Sequence, residues 1–278
     1  MELSLYTLLT NKFTLVESLK LAQAAGFDAV DLRQGRDDKD PVHLSRAITD
    51  PEVAEVRREV EAIGLQVSGL TTYYRLGMTH PPDAAAELRG LRRAFTIAHN
   101  LGARYLRCSG PPIGENVTYE SARAAFRRQV EEVAPVAEEH RIVLTLEQHP
   151  GYFFASAGQI IDMLRGLEHP YLGIVYDPGN TLWEGFERPA VQIDMFGNLI
   201  RAVHVKNAMP RPSEGPAETL PADPTRLDQG LLDWPALVAQ LESQADAAYL
   251  TLEDFFDGFG SVERKLAWDV AYLRSLLK

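Results

Sequence analysis

The stretch VLTLEQHPGYFFASAGQIIDMLRGLEHPYLGIVYDPGN, residues 143–180, holds one complete repeat of the fold. Val143 to His149 and Leu172 to Asp177 are short runs rich in β-formers. Between them, Ser156 is a helix-capping residue type, and residues 157–168 carry apolar side chains at three- and four-residue spacing. Strand, helix and strand in that order imply parallel pairing through a right-handed crossover. Working outward, the alternation continues in both directions. Upstream lie Leu3 to Thr7, Ala29 to Arg33, Gln66 to Thr72 and Tyr105 to Ser109, and downstream Ala202 to Lys206 and Tyr249 to Asp254. Helical periodicity fills the gaps near 14–25, 51–63, 83–101, 119–140, 188–199, 234–244 and 261–277.

Local signals support the helices. Thr14 with Glu17 reads as a capping box, Asp50-Pro51 as an N-cap followed by proline, and Asp83 and Thr118 as further caps. Gly26, Gly64 and Gly102 stand where left-handed C-caps belong. Eight strand-helix units are the number that closes into a barrel, so the expected fold is α/β, a (β/α)8 TIM barrel. A single domain over residues 1–278 is expected, with a long loop at about 207–232 that is rich in proline and acidic residues. A length of 278 residues also allows two average domains, but no long Gly-, Pro- or Ser-rich linker divides the chain. An open dinucleotide-binding sheet is disfavoured because the turn after the first strand, Thr10-Asn11-Lys12, lacks GxGxxG.

Composition narrows the function. With 45% hydrophobic and 24% charged residues, the chain can build a core and is not a disordered type. Its formal charge of −11 repels phosphate backbones and anionic lipids, so neither nucleic acid nor membrane is an expected partner. The single cysteine, Cys108, excludes an internal disulfide and reads as a buried, inert thiol. No signal peptide or membrane span is evident, which makes a cytoplasmic location the expectation.

In barrels of this kind reactive residues come from the C-terminal strand ends and the loops after them. Four ends carry a pattern: Thr145-Leu146-Glu147-Gln148-His149-Pro150, Val175-Tyr176-Asp177-Pro178-Gly179-Asn180, Val203-His204-Val205-Lys206-Asn207 and Thr251-Leu252-Glu253-Asp254. Glu147, Asp177, His204 and Glu253 thus fall at one rim, 30, 27 and 49 residues apart, the last spacing enlarged by the long loop. Three carboxylates facing one mouth repel unless protonated or neutralised, and a divalent cation is the simplest neutraliser. Three carboxylates with one imidazole form a ligand set that fits Mn²⁺ best, with Mg²⁺, Co²⁺ and Zn²⁺ as alternatives. A metal held by four protein ligands keeps one or two positions for substrate oxygens. Chelation of a carbonyl and its neighbouring hydroxyl would acidify the C–H between them, and two glutamates could remove and return that proton.

The runs LEQHPG, YDPGN, HVKN and LEDF at these four ends resemble the sugar phosphate isomerase/epimerase family of xylose-isomerase-like barrels, over essentially the whole chain. The resemblance implies that Glu147, Asp177, His204 and Glu253 bind one divalent metal. It also implies that Glu147 and Glu253 are the catalytic acid and base of a metal-dependent isomerase or epimerase acting on a small polyhydroxylated carbonyl compound. Dimers and tetramers are common in such barrels, so a homodimer or homotetramer is compatible. Two departures matter. Asn180 stands where several ketose epimerases carry histidine, and Glu147-Gln148-His149-Pro150 replaces their EPLN. Glu-x-His followed by His-x-Lys-Asn also resembles 3-dehydroshikimate dehydratases, which makes metal-assisted dehydration the alternative. Apurinic-site endonucleases share the barrel but need further histidines at strands two to four, where this chain has Arg33, Thr72 and Ser109.

Further substrate-binding candidates are His149 and Lys206, each two residues after a ligand and so on the same strand face. Asn180, Arg33, Tyr6 and, from the long loop, Arg211 complete the set, with Arg211 expected to close over an anionic substrate. Gly258-Phe259-Gly260-Ser261 opens the last helix and offers amides to a phosphate, or forms a plain turn.

Overall fold

The computed structural model describes residues 1–36, 43–184, 187–213, 215 and 219–277. Eight parallel strands close into a barrel: β1 (Glu2–Tyr6), β2 (Ala29–Arg33), β3 (Gln66–Arg75), β4 (Tyr105–Ser109), β5 (Val143–Glu147), β6 (Leu172–Tyr176), β7 (Ile200–Val205) and, last, β10 (Tyr249–Leu252). A small antiparallel hairpin, β8 (Ala208–Pro210) with β9 (Ala222–Pro224), stands apart from it within the long loop. Around the barrel lie α1 (Leu15–Ala25), α2 (Asp50–Ile63), α3 (Pro81–Leu101), α4 (Tyr119–His140), α5 (Ala157–Leu164), α6 (Thr181–Glu184), α7 (Pro189–Phe196), α8 (Trp234–Gln244) and α9 (Val262–Leu276). Among the described residues no helix is long and apolar enough to cross a membrane.

The strand period of two sorts residues between two buried environments. Leu3, Leu5, Val30, Leu32, Leu106, Leu144, Leu146 and Ile174 belong to the large core that also takes in the helices' apolar faces. The alternate set, Ala29, Tyr105, Val175, Ala202 and Tyr249, forms a separate cluster that fills the barrel. Polar groups on that inner face bond one another: Ser4 Oγ lies 2.7 Å from Ser68 Oγ, and Tyr105 donates to Asp31 at 2.7 Å.

The helix boundaries follow local chemistry, with three corrections. Capping boxes form at Thr14, Thr118 and Ser156, and Gly26, Gly64 and Gly102 adopt φ of 94°, 85° and 77°. The N-cap of α2 is Thr49 rather than Asp50, because Thr49 is the residue that pairs reciprocally with Glu52. Asp83 does not cap α3; prolines 81 and 82 start that helix earlier, behind His80, which leaves Asp83 in the first turn. The segment predicted as one helix over 188–199 divides into α7 and a 3-10 turn, Gly197–Leu199.

Candidate active site

All four rim residues converge at the C-terminal mouth. Glu147 ends β5, His204 is the penultimate residue of β7, and Asp177 and Glu253 lie one residue past β6 and β10. All are buried, and one ligand atom from each can be chosen so that the set lies within 4.8 Å of one another. Glu147 Oε1, Glu253 Oε2 and Asp177 Oδ2 stand 3.0, 3.4 and 3.8 Å from His204 Nδ1. Neither nitrogen of His204 has a hydrogen-bond partner, although both are buried. An imidazole left without hydrogen bonds in a ring of carboxylates is a donor set that could hold a divalent cation. Burial opposes a charge on His204, but Glu253, Asp177 and Glu147 outweigh it and raise its affinity for a proton; the same field attracts any cation.

The expected carboxylate repulsion is partly relieved from within the chain. Arg107 of β4, fully buried, donates to Glu147 Oε2 and to the Thr72 carbonyl. Burial alone would raise the Glu147 carboxyl, yet Arg107, followed by His204, holds it well below the usual range. Lys206 Nζ bridges Asp177 Oδ2 at 2.7 Å and Glu253 Oε2 at 2.8 Å. Against burial, the Lys206 ammonium and then His204 pull Glu253 down to about 2. The two cations therefore leave one net negative charge on the cluster when His204 is neutral, so a metal ion is a supplement to this pairing and not the sole neutraliser. Gly179 makes the bridge possible, since a Cβ there would meet Lys206 Cγ at 2.5 Å.

A cavity of about 330 Å³ opens above the cluster and is lined by Glu147 and Glu253 together with Tyr6, Arg107, His149, Asn180 and Lys206. Tyr6 stacks on His204 with ring centroids 5.7 Å apart and shares a 3.1 Å hydroxyl contact with Tyr73. His149 and Lys206 reach the mouth by a different route from the predicted one. β5 ends at Glu147 and β7 at Val205, so both stand in the loops that follow. His149 Nδ1 lies 2.6 Å from the Pro150 carbonyl, which can only accept; Nε2 is then the lone-pair nitrogen. Asn180 donates from Nδ2 to Asp177 Oδ2 and to the Gln148 carbonyl, both at 2.8 Å, and so orients a rim carboxylate.

Two candidates stand elsewhere. Arg33 is buried beside the mouth and donates to the Tyr73 hydroxyl at 2.9 Å, but it is not among the described residues that line the cavity; Arg36 is. Arg211 lies on the β8 side of the hairpin, half exposed, and pairs with Asp223 at 3.2 Å; it too is not among the lining residues. The reason is Asn207. Its Nδ2 donates to the Leu227 and Leu232 carbonyls and its Oδ1 accepts from the Ala208 and Leu232 amides, which pins the long loop back on itself. Of the aromatics that follow strand six, Trp183 lines the mouth, whereas Phe186 lies outside the described residues. Tyr73, a pocket candidate at the end of strand three, lines the cavity, whereas Arg107 and Arg36 carry no motif that points to them. The signal for Arg107 was its place two residues after the inward-facing Tyr105.

The family model described as "Xylose isomerase-like TIM barrel" matches residues 19–276. L-ribulose-5-phosphate 3-epimerase UlaE of Escherichia coli is 26% identical over 202 residues, covering 70% of this chain and 69% of that protein. A xylose isomerase-like TIM barrel protein from Mycobacterium smegmatis, solved in complex with magnesium, superposes with a TM-score of 0.77 at 15% identity, over 99% of this chain and 96% of that one. The probable 3-DHS dehydratase AsbF from Bacillus anthracis superposes with a TM-score of 0.73 at 14% identity, over 99% of both chains.

Proposed function

Because the chain belongs to the xylose isomerase-like TIM barrel family, we infer that it is a divalent-metal-dependent isomerase or epimerase of a small polyhydroxylated carbonyl compound. The observation that carries this reading is the convergence of Glu147, Asp177, His204 and Glu253 beneath one cavity, with two glutamates held ionised on strands separated by two others. These four residues would hold the ion, with Mn²⁺ the best match to three oxygens and one imidazole. Bound there, it would polarise a substrate carbonyl and make the adjacent C–H more acidic.

The chain's own groups supply the proton traffic. One glutamate accepts the proton from the carbon beside the carbonyl; the other, ionised at rest, first takes a proton from a substrate hydroxyl or water and then delivers it to that carbon. Return to the opposite face inverts the centre, whereas return to the neighbouring carbon moves the carbonyl. Lys206, already between Asp177 and Glu253, has a third hydrogen to offer a substrate oxygen as negative charge grows there. Tyr6, Trp183 and Phe255 wall the cavity. The E. coli relative, a 3-epimerase by name, supports this class of reaction.

A second reading is metal-assisted loss of water from an anionic substrate. It is favoured by His149, whose Nε2 is left as a base, and by Arg36, Arg107 and Lys206 around the same cavity. One experiment separates the two. Mn²⁺-loaded protein is incubated in D₂O with ketoses and with hydroxylated cyclic keto acids, and the products are followed by NMR and ultraviolet absorbance. Deuterium beside the carbonyl, reduced about 10²-fold or more by Glu253→Gln, is the expected result. A new conjugated absorbance with loss of water would favour dehydration. Exchange that survives both Glu147→Gln and Glu253→Gln would remove the assigned roles.

A further inference from the structure

Beside the mouth lies a larger cavity, of about 460 Å³, between the 3-10 turn after β1 and the start of α9. Leu8 and Phe255 line both spaces, so the two cavities share a wall. Leu9, Phe256, Val262 and Leu266 add apolar side chains to the remaining lining, beside the polar Asn11 and Ser261. The charged part of the lining is acidic. Asp254 is fully buried and its Oδ2 has no hydrogen-bond partner, while Asp257 is exposed at the edge. Lys265 is the one cation among the described lining residues, and it is already engaged: Nζ donates to the Asp254 carbonyl and stands 3.4 Å from Asp254 Oδ2.

These features decide what the space can accept. The α9 start is a weakened anion cradle, because the Ser261 hydroxyl already takes up the Arg264 amide. A phosphate would meet two carboxylates, a committed ammonium and a capped helix. An uncharged apolar group would instead remove Leu9, Phe256, Val262 and Phe255 from water.

We propose that this cavity is a distal subsite of the same active site, which takes an uncharged apolar or aromatic substituent of the substrate and turns away a terminal phosphate. The proposal rests on the functional reading above, since the reacting carbons would sit in the mouth while the substituent passes Leu8 and Phe255. A cavity of this volume suits a ring-sized group.

Three hydroxyketones with one reacting head test it: dihydroxyacetone, its monophosphate and its mono-O-benzyl ether. Each is titrated by calorimetry into Mn²⁺-loaded wild type and Val262→Trp, with thermal melts to show that both are folded. The benzyl ether should bind about tenfold more tightly than dihydroxyacetone, the phosphate no more tightly, and Val262→Trp should bring the benzyl preference to near one. A phosphate that binds most tightly, or a benzyl preference indifferent to Val262→Trp, overturns the subsite. Benzyl alcohol, followed by ligand-observed NMR, reads the cavity without the reacting head. Contact with wild type and Glu147→Gln but not with Val262→Trp supports the subsite even if no hydroxyketone binds, in which case the functional reading alone fails. No contact with wild type overturns the subsite whatever happens at the mouth.

Discussion

Glu253 and Asp254 are neighbours in sequence, both buried, and their environments drive them in opposite directions. Burial raises both. On the barrel side, the Lys206 ammonium and His204 overcome burial and take Glu253 to about 2. On the α9 side, Lys265 divides itself between the Asp254 carboxylate and carbonyl, and Asp254 stays raised. Asp269 of α9, with neither oxygen bonded, is pushed up to about 8 by burial first and then by the nearby Asp254. The lesson is that depth of burial does not set the charge of a carboxyl; the cations brought against it do. A cluster kept ionised at depth is a better functional signal than a buried acid alone.

The strongest way to break that contrast is to strip the mouth of a cation. Arg107→Met leaves Glu147 buried without its partner and should cost about 3–5 kcal/mol in urea unfolding. A loss below about 1 kcal/mol would mean that Arg107 does not maintain Glu147.

On the other side of Glu253 the expected change is opposite in sign and smaller. Asp269 faces Asp254, Lys265 and Arg226, and its folded-state affinity for a proton exceeds that of the unfolded chain. The native state therefore binds more protons between about pH 4 and pH 8, and stability declines as pH rises through that window. Asp269→Asn should raise stability by about 1–3 kcal/mol at pH 8 and by less at pH 5, read as melting temperature. An equal gain at both pH values would show that Asp269 is ionised throughout.

The smallest effect is expected where a charge pair is solvated. Arg211→Ala removes an exposed pair with Asp223 and should change stability by less than about 0.5 kcal/mol and turnover by less than about twofold. A tenfold loss of turnover would return Arg211 to the mouth and make the hairpin part of the site.

The same distinction explains what was legible beforehand. Residues 105, 107, 145, 147, 202, 204 and 251 share the inward parity of their strands, and that parity is a local property of an extended chain. Glu147 and His204 were legible from their place at strand ends and share this parity, and the same parity places Arg107 two residues after Tyr105 on the inner face. His149 and Lys206 came to the mouth although the parity argument ended with their strands, because the loops after β5 and β7 turn inward over the barrel. Asn180 reaches the mouth from the turn after β6, where its Nδ2 bonds the Asp177 carboxylate and the Gln148 carbonyl. Arg211 was unreadable, since the path of a long loop depends on the bonds that Asn207 makes 20 and 25 residues away.

The sequence by itself determined the barrel and the four side chains that meet at its mouth, because alternation of units and a period of two are written in neighbouring residues. Tertiary structure decided how much charge those four must share. Lys206 and Arg107 reach Asp177, Glu253 and Glu147 from different strands, and only closure of the barrel brings those strands together. It likewise decided that Arg211 stays on the hairpin and that an apolar space opens beside Phe255, since both depend on where loops pack.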